Sequence, residues 1–294
     1  MKKVIFYICV AAFCFGTMEV ALKIGGNDLD PFQLTFLRFF GGGLVLLPLA
    51  IRELRKPGAH RLNAADLRYL LILGILCIPI SMLIFQFGLM RTNATTAAIM
   101  ICLSPVFTMV FARMFLKEPI NRNNLLAMLL GLLGILVLIN PFDLAPGNTP
   151  AGIMLTLLGT VVFSLYSVLG KVKIGRIGAF AQTSLSFIMG SGGLLLCLML
   201  LQRPIVQGIN LQNIGLVLYA AIIVTGLGYL FYFLAIDASN AITGSVTFLL
   251  KPVIAPLAAF LVLQEKPGPM GLLGIGLVLA ASIINLMALQ HNQN

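Results

Sequence analysis

Charge is scarce in this chain. Of 294 residues, 19 are Lys or Arg and 9 are Asp or Glu, together 10%, where a soluble domain carries about a quarter. No hydrophilic stretch within the sequence is long enough to fold by itself. Histidine is rarer still: His60 falls in a connection and His291 in the tail, so no histidine-based metal site is visible. The five cysteines, Cys9, Cys14, Cys77, Cys102 and Cys197, sit inside apolar runs without CxxC spacing, and read as small buried hydrophobes. Ser191 lies among glycines, yet no apolar segment holds a histidine to activate it and no HExxH occurs, which disfavours an intramembrane hydrolase. The expectation is a non-enzymatic chain without metal or cofactor.

What is present is hydrophobicity: 60% of residues are apolar and the mean hydropathy is +1.04. Uncharged runs of 17 or more residues recur, each enough to cross a hydrocarbon core of roughly 30 Å as a helix. Ten spans are predicted, at 4–24, 33–51, 69–89, 94–115, 124–140, 152–172, 181–201, 214–235, 241–263 and 270–289. Barrel strands would alternate polar and apolar residues over about ten positions; these runs are uniformly apolar and longer. The net charge of +10 does not point to nucleic acid, because most of the basic residues sit in short connections. If the termini are cytoplasmic, thirteen Lys and Arg fall inside against four outside, with Arg38 and Lys251 within spans. That asymmetry favours a cell-membrane protein with both termini cytoplasmic. Lys2-Lys3 followed by VIFYICVAAF has the look of a signal peptide, but it is the partner of a later span and is expected to be a retained anchor.

The chain is written twice. Asn93-Ala94-x-Thr96, Pro105-Val106 and Glu118 return as Asn240-Ala241-x-Thr243, Pro252-Val253 and Glu265, each 147 residues later. Upstream, Phe15, Val20 and Lys23 match Phe163, Val168 and Lys171 at an offset of 148, and Thr35, Leu37, Phe39 and Gly42 match Thr183, Leu185, Phe187 and Gly190. The expected units are therefore residues 1–145 and 146–294. Five spans per copy is odd, so the copies enter the bilayer in opposite senses. The fold class expected is an all-α integral membrane protein of ten transmembrane helices in two inverted five-helix repeats. Inverted repeats suit alternating access about a site near the midplane, although channels use them too.

The segment GLGYLFYFLAIDASNAITGSVTFLLKPVIAPLAAFLVLQEKP (226–267), with FCFGTMEVALKIGG (13–26) and LTFLRFF (34–40), resembles EamA-type carriers of the drug/metabolite transporter superfamily over nearly the whole chain. The resemblance implies a basket of spans one to four and six to nine around a central cavity, with spans five and ten peripheral. It also implies transport driven by the substrate gradient or by protons rather than by ATP, and no GxxxxGK[ST] motif is present.

Charges at bilayer depth face a cavity or a partner. Glu19 lies four residues before Lys23, a spacing that permits an ion pair. Either the two neutralise one another, or Glu19 faces the cavity and binds a cation or a coupling proton. Arg38, whose counterpart is Ser186, pairs with Glu19, snorkels outward, or receives a carboxylate or phosphate through its planar fork. Lys251, whose counterpart is Ser104, is too deep to snorkel easily; it pairs with Glu19 or attracts an anionic group. Many relatives of the resembled family carry an acidic residue before that proline. Pro105 and Pro252 each remove a helical hydrogen bond, as static kinks or as gates. Gln86, Tyr166, Tyr229 and Tyr232 are uncharged candidates for contact with cargo. Glu118 and Glu265 are expected to bind loop amides rather than substrate. Ala127-xxx-Gly131 and Gly276-xxx-Ala280 support a homodimer or pack within their own half.

The function expected is a secondary active or facilitative transporter of a small polar metabolite, such as an amino acid, amine or related solute, working as an exporter. The alternatives are a lipid or lipid-linked-sugar flippase and a non-transporting membrane receptor or scaffold.

Overall fold

The computed structural model describes residues 2–120, 122–139, 146–264 and parts of 272–284. Among the described residues the chain is helical, with no strand. Seven segments are long and apolar enough to cross a membrane: helix 1 (Lys2–Ile24), helix 2 (Pro31–Leu54), helix 3 (Ala64–Leu89), helix 4 (Ala94–Leu116), helix 6 (Pro150–Ile177), helix 7 (Ala179–Leu200) and helix 8 (Ile214–Asp237). Helix 5 (Arg122–Ile139) lies between the fourth and sixth. Helix 9 runs through Ala241–Leu250 into Lys251–Leu263. The tenth expected span lies largely outside the described residues, with a shorter apolar helix at Leu272–Ala281.

Burial follows the logic of a membrane rather than of water. Phe6, Met114, Leu158 and Leu196 are exposed, while Glu19, Arg38, Gln86 and Lys251 are fully buried. A water-soluble protein would reverse that distribution.

Helix starts depend on polar side chains at the rims. Asn63 accepts from the Asp66 amide at 2.9 Å and Asp66 accepts from the Asn63 amide at 3.3 Å, a capping box. It begins helix 3 at Ala64, five residues before the expected 69, because a cap satisfies the first turn before the apolar run starts. Asn210 and Asn213, 147 residues on, exchange the same two bonds at 2.9 and 3.1 Å.

Packing between the halves is reciprocal. Helix 1 lies against helices 8 and 9, helix 6 lies against helices 3 and 4, and helices 2 and 7 lie against each other. Small residues allow the close approaches. A Cβ on Gly74 of helix 3 would sit 2.7 Å from the Gly190 nitrogen of helix 7, and one on Gly42 of helix 2 would sit 2.9 Å from the Ala221 carbonyl of helix 8. Of the outer small-residue pattern, Gly131 faces Ala281 within the same chain, 3.9 Å from where its Cβ would be.

The central helices are interrupted. Helix 1 breaks at Thr17. Helix 4 breaks at Cys102–Leu103 and resumes at Ser104 with Pro105 in its first turn, where a missing N–H costs nothing. Helix 9 tightens to a 3-10 segment at Val246–Leu250 before resuming at Lys251. Pro252 lies in that resumed helix; its side chain is outside the described residues. Helices 3 and 8 each widen into a π segment, Leu76–Met82 and Ala220–Leu227, a distortion frequent at functional sites. Pro79 lies within the first of them.

Candidate functional site

The interruptions bring two charged side chains face to face. Helix 1 reforms at Met18, which puts Glu19 in a first helical turn. At the break, Thr17 Oγ1 shares a hydrogen bond of 2.6 Å with the Tyr219 hydroxyl of helix 8. Lys251 opens the second part of helix 9, a poor place for a cation because the helix N-terminus is positive. Glu19 answers that charge: Lys251 Nζ donates to Glu19 Oε1 at 2.5 Å, with both side chains sealed from solvent. Glu19 Oε2 has no hydrogen-bond partner among the described residues. Of the three partners open to Glu19 in the sequence, the structure selects Lys251. Lys23 instead donates to the Thr92 carbonyl at the end of helix 3.

Arg38 is fully buried, which rules out snorkelling. Its Cζ lies 4.4 Å from the centroid of the Phe39 ring, and Nη1 approaches the Met18 sulfur at 3.9 Å. Glu19, Tyr229 and Cys77 lie within electrostatic reach of the guanidinium. No ion pair to Arg38 is formed among the described residues. Its Nε and Nη2 have no hydrogen-bond partner among the described residues.

Around these charges stands a cage of rings. Tyr229 meets Phe15 at 5.1 Å, Phe187 at 5.1 Å, Phe39 at 5.5 Å and Phe163 at 5.9 Å between centroids. Phe15 stacks on Phe248 at 5.3 Å, and Tyr232 packs edge-on to Phe248, also at 5.3 Å. Among the described residues the buried Tyr166 and Tyr232 hydroxyls form no hydrogen bond of normal geometry, although Cys77 and Ser167 lie near them, and both amide atoms of the buried Gln86 are unpartnered. Tyr166, Tyr229 and Tyr232 are therefore not interfacial anchors. The site thus joins Glu19, Arg38 and Lys251 to Tyr166, Tyr229 and Tyr232. No hydrogen bond or ion pair ties Gln86 to this group among the described residues.

Phe15 and Phe163 are repeat counterparts, as are Phe39 and Phe187. Both pairs converge on Tyr229, and their matched spacing was the signal in the sequence. Less visible was a second cluster joining the copies at a rim. Asp66 Oδ1 accepts from Lys173 Nζ at 3.0 Å and from Arg176 Nη2, and His60 Nε2 lies 2.8 Å from Oδ2. Elsewhere carboxylates cap helices: Glu53 accepts from the Ala181 amide at 2.9 Å, and Glu118 accepts from the Ala241 and Ile242 amides at 3.1 and 3.3 Å. Glu265 lies outside the described residues. No group of three or more His, Cys, Asp and Glu that would hold a metal occurs among the described residues.

Comparison with known proteins agrees with this architecture. The profile described as the EamA-like transporter family matches residues 2–140 and again 150–287. A protein of Clostridium kluyveri described as an uncharacterized transporter is 36% identical over 97% of this chain and 93% of its own length. The PecM protein of Dickeya dadantii is 30% identical over 73% of this chain and 72% of its own. An S-adenosylmethionine uptake transporter of Rickettsia felis is 23% identical over 90% of this chain and 86% of its own. A solved crystal structure superposes with a TM-score of 0.76 over the full length of both chains at 17% identity, a likeness of fold alone.

Proposed function

Because this chain belongs to the EamA-like transporter family, we propose that it is a secondary carrier that moves a small polar metabolite across the cytoplasmic membrane by alternating access. Two inverted five-helix repeats rock about a central site, with both termini cytoplasmic and net movement outward. The observation that carries this reading is the buried polar layer between the halves. Glu19 and Arg38 come from the first copy, and Lys251, Tyr166, Tyr229 and Tyr232 from the second. Several of their polar atoms have no hydrogen-bond partner among the described residues. Buried polar groups are normally satisfied, so a layer left incomplete at the meeting of two halves suits a cargo that completes it. The helix breaks at Thr17, before Ser104 and before Lys251 supply places where rims bend without disturbing the packed glycine contacts. Glu19 is the group proposed to exchange a proton, with Lys251 holding it while empty.

The test is reconstitution into liposomes with uptake of carboxylates, amino acids, amines and nucleosides measured with and without a pH gradient. Movement of at least one solute class above empty liposomes is expected. Glu19→Gln is expected to abolish the response to the pH gradient. No movement across the whole panel, with the protein folded and inserted, removes the carrier reading. Undiminished proton dependence in Glu19→Gln removes Glu19 as the coupling group.

A further inference from the structure

Charge accounting at the site narrows the cargo, an inference that rests on the carrier reading above. Glu19 and Lys251 cancel one another at 2.5 Å. Arg38 remains, fully buried, against a ring face and a thioether, with Glu19 within electrostatic reach but already ion-paired to Lys251. Among the described residues, Glu19, Lys251 and Arg38 together leave the site one net positive charge. A guanidinium is effectively always protonated, so titration does not relieve it. The two unpartnered nitrogens of Arg38, Nε and Nη2, share one edge of the guanidinium plane. That edge offers two parallel N–H groups, the fork that fits both oxygens of a carboxylate. The ring of Phe39 covers the guanidinium face, and Phe187 and Tyr229 pack on Phe39 at 4.8 and 5.5 Å. A group that reached the unpartnered edge would be flanked by flat apolar rings.

We propose that the cargo is a net monoanion, a carboxylate on a flat apolar body, and that the Nε–Nη2 edge of Arg38 reads the carboxylate. A zwitterion would bring an ammonium whose free acceptor, Glu19 Oε2, sits beside the Lys251 ammonium. A cation would meet Arg38 unpaired. A phosphomonoester carries about −1.5 to −2 charges near neutrality, more than the site offsets.

The experiment uses four probes with one phenyl body: 3-phenylpropionate, phenylalanine, phenethylamine and phenyl phosphate. Binding to the purified full-length protein is read by calorimetry. The carboxylate is expected to bind about tenfold or more tighter than each of the others, a difference of about 1.4 kcal/mol. Arg38→Ala is expected to weaken it by about tenfold to a hundredfold, the range for hydrogen bonds to a charged group. Arg38→Lys restores part of the loss, because one ammonium does not supply two parallel donors. Arg38→Gln, which keeps a polar but shorter and uncharged side chain, is the second variant, and monodispersity on size exclusion checks that each is folded. Equal or tighter binding of phenylalanine, phenethylamine or phenyl phosphate overturns the proposal. So does a folded Arg38→Ala or Arg38→Gln that binds the carboxylate like the parent, and so does failure of all four to bind. If liposomes move an amine or zwitterion while the carboxylate fails, this inference falls and the carrier reading stands. If nothing in the panel moves, the carrier reading falls with it.

Discussion

Two interfaces occupy corresponding places in the two copies, and they are built from different chemistry. Where helix 4 meets helix 6, Ser104 Oγ and Ser164 Oγ lie 3.0 Å apart, and Ser164 can also donate to the Ser104 and Thr160 carbonyls at 3.1 and 2.9 Å. Where helix 9 meets helix 1, the counterpart of Ser104 is Lys251, and it is ion-paired to Glu19. The counterpart of Glu19 is Ser167, whose hydroxyl merely donates to the Phe163 carbonyl of its own helix at 2.9 Å. The scaffold closes with neutral hydroxyls on one side, so the ion pair on the other is not a requirement of packing. Burying two charges costs several kcal/mol each before their attraction repays it. A pair that the scaffold can do without and that is costly to bury is what the proposed coupling role of Glu19 requires.

The contrast is broken most forcefully by deleting one charge. Lys251→Met leaves Glu19 buried without its ion-pair partner, and is expected to cost about 3–5 kcal/mol of stability, measured by unfolding in detergent. Adding Glu19→Gln to that variant is expected to restore most of the loss of stability while the response to the pH gradient is abolished. The matching change at the other interface, Ser104→Ala, is expected to cost only about 1 kcal/mol, since Ser164 keeps the Thr160 carbonyl. If Lys251→Met unfolds no more readily than Ser104→Ala, the two interfaces are energetically alike and the functional argument loses its basis.

The rims repeat the lesson. Asn63 with Asp66 and Asn210 with Asn213 form the same capping pattern, but only Asp66 also gathers Lys173, Arg176 and His60. The positions corresponding to Lys173 and Arg176 are Gly25 and Asp28, which offer no cation. Asp66→Asn converts the first cap into the second. It is expected to lower the melting temperature, with the gap to the parent shrinking as salt screens the exposed cations. Asn213→Asp is expected to bring no gain. A gain there shows that this second rim has a cationic partner of its own.

The repeat, the helical class and the deep charges were legible because apolar runs and a near-constant offset leave a direct trace in the sequence. Pro105 foretold the break in helix 4 because a missing N–H is a local property. Partner choice was not legible. Glu19 has Lys23 one turn away and Lys251 at a separation of 232 residues, and only the packing of helix 9 on helix 1 decides between them. The break at Thr17 has no proline, and Gly16 beside it is one glycine among 29. The π segment in helix 8 lacks the proline that marks its relative in helix 3. Asp66 was hidden for another reason: a charge at a rim has an ordinary role in solvent, so its gathering of cations emerges only when both copies are folded together.

The smallest expected effect concerns the turn between helices 8 and 9, where the scaffold alone is at work. Lys171 Nζ donates to the Ile236 carbonyl at 2.6 Å and to the Asp237 and Ser239 carbonyls at 3.2 Å, while Glu118 receives the first amides of helix 9. A cation thus closes one helix end and an anion opens the next, each matched to the local dipole. Lys23, the counterpart of Lys171, donates to the Thr92 carbonyl at the corresponding turn of the first copy, so this arrangement is shared where the ion pair is not. Being at a rim and partly exposed, each contact is worth about 0.3–1 kcal/mol. Glu118→Gln keeps one acceptor oxygen and is expected to fall at the low end of that range, with substrate selectivity unchanged. A loss as large as that of Lys251→Met would place the rim turn, rather than the buried pair, at the energetic centre of the repeat.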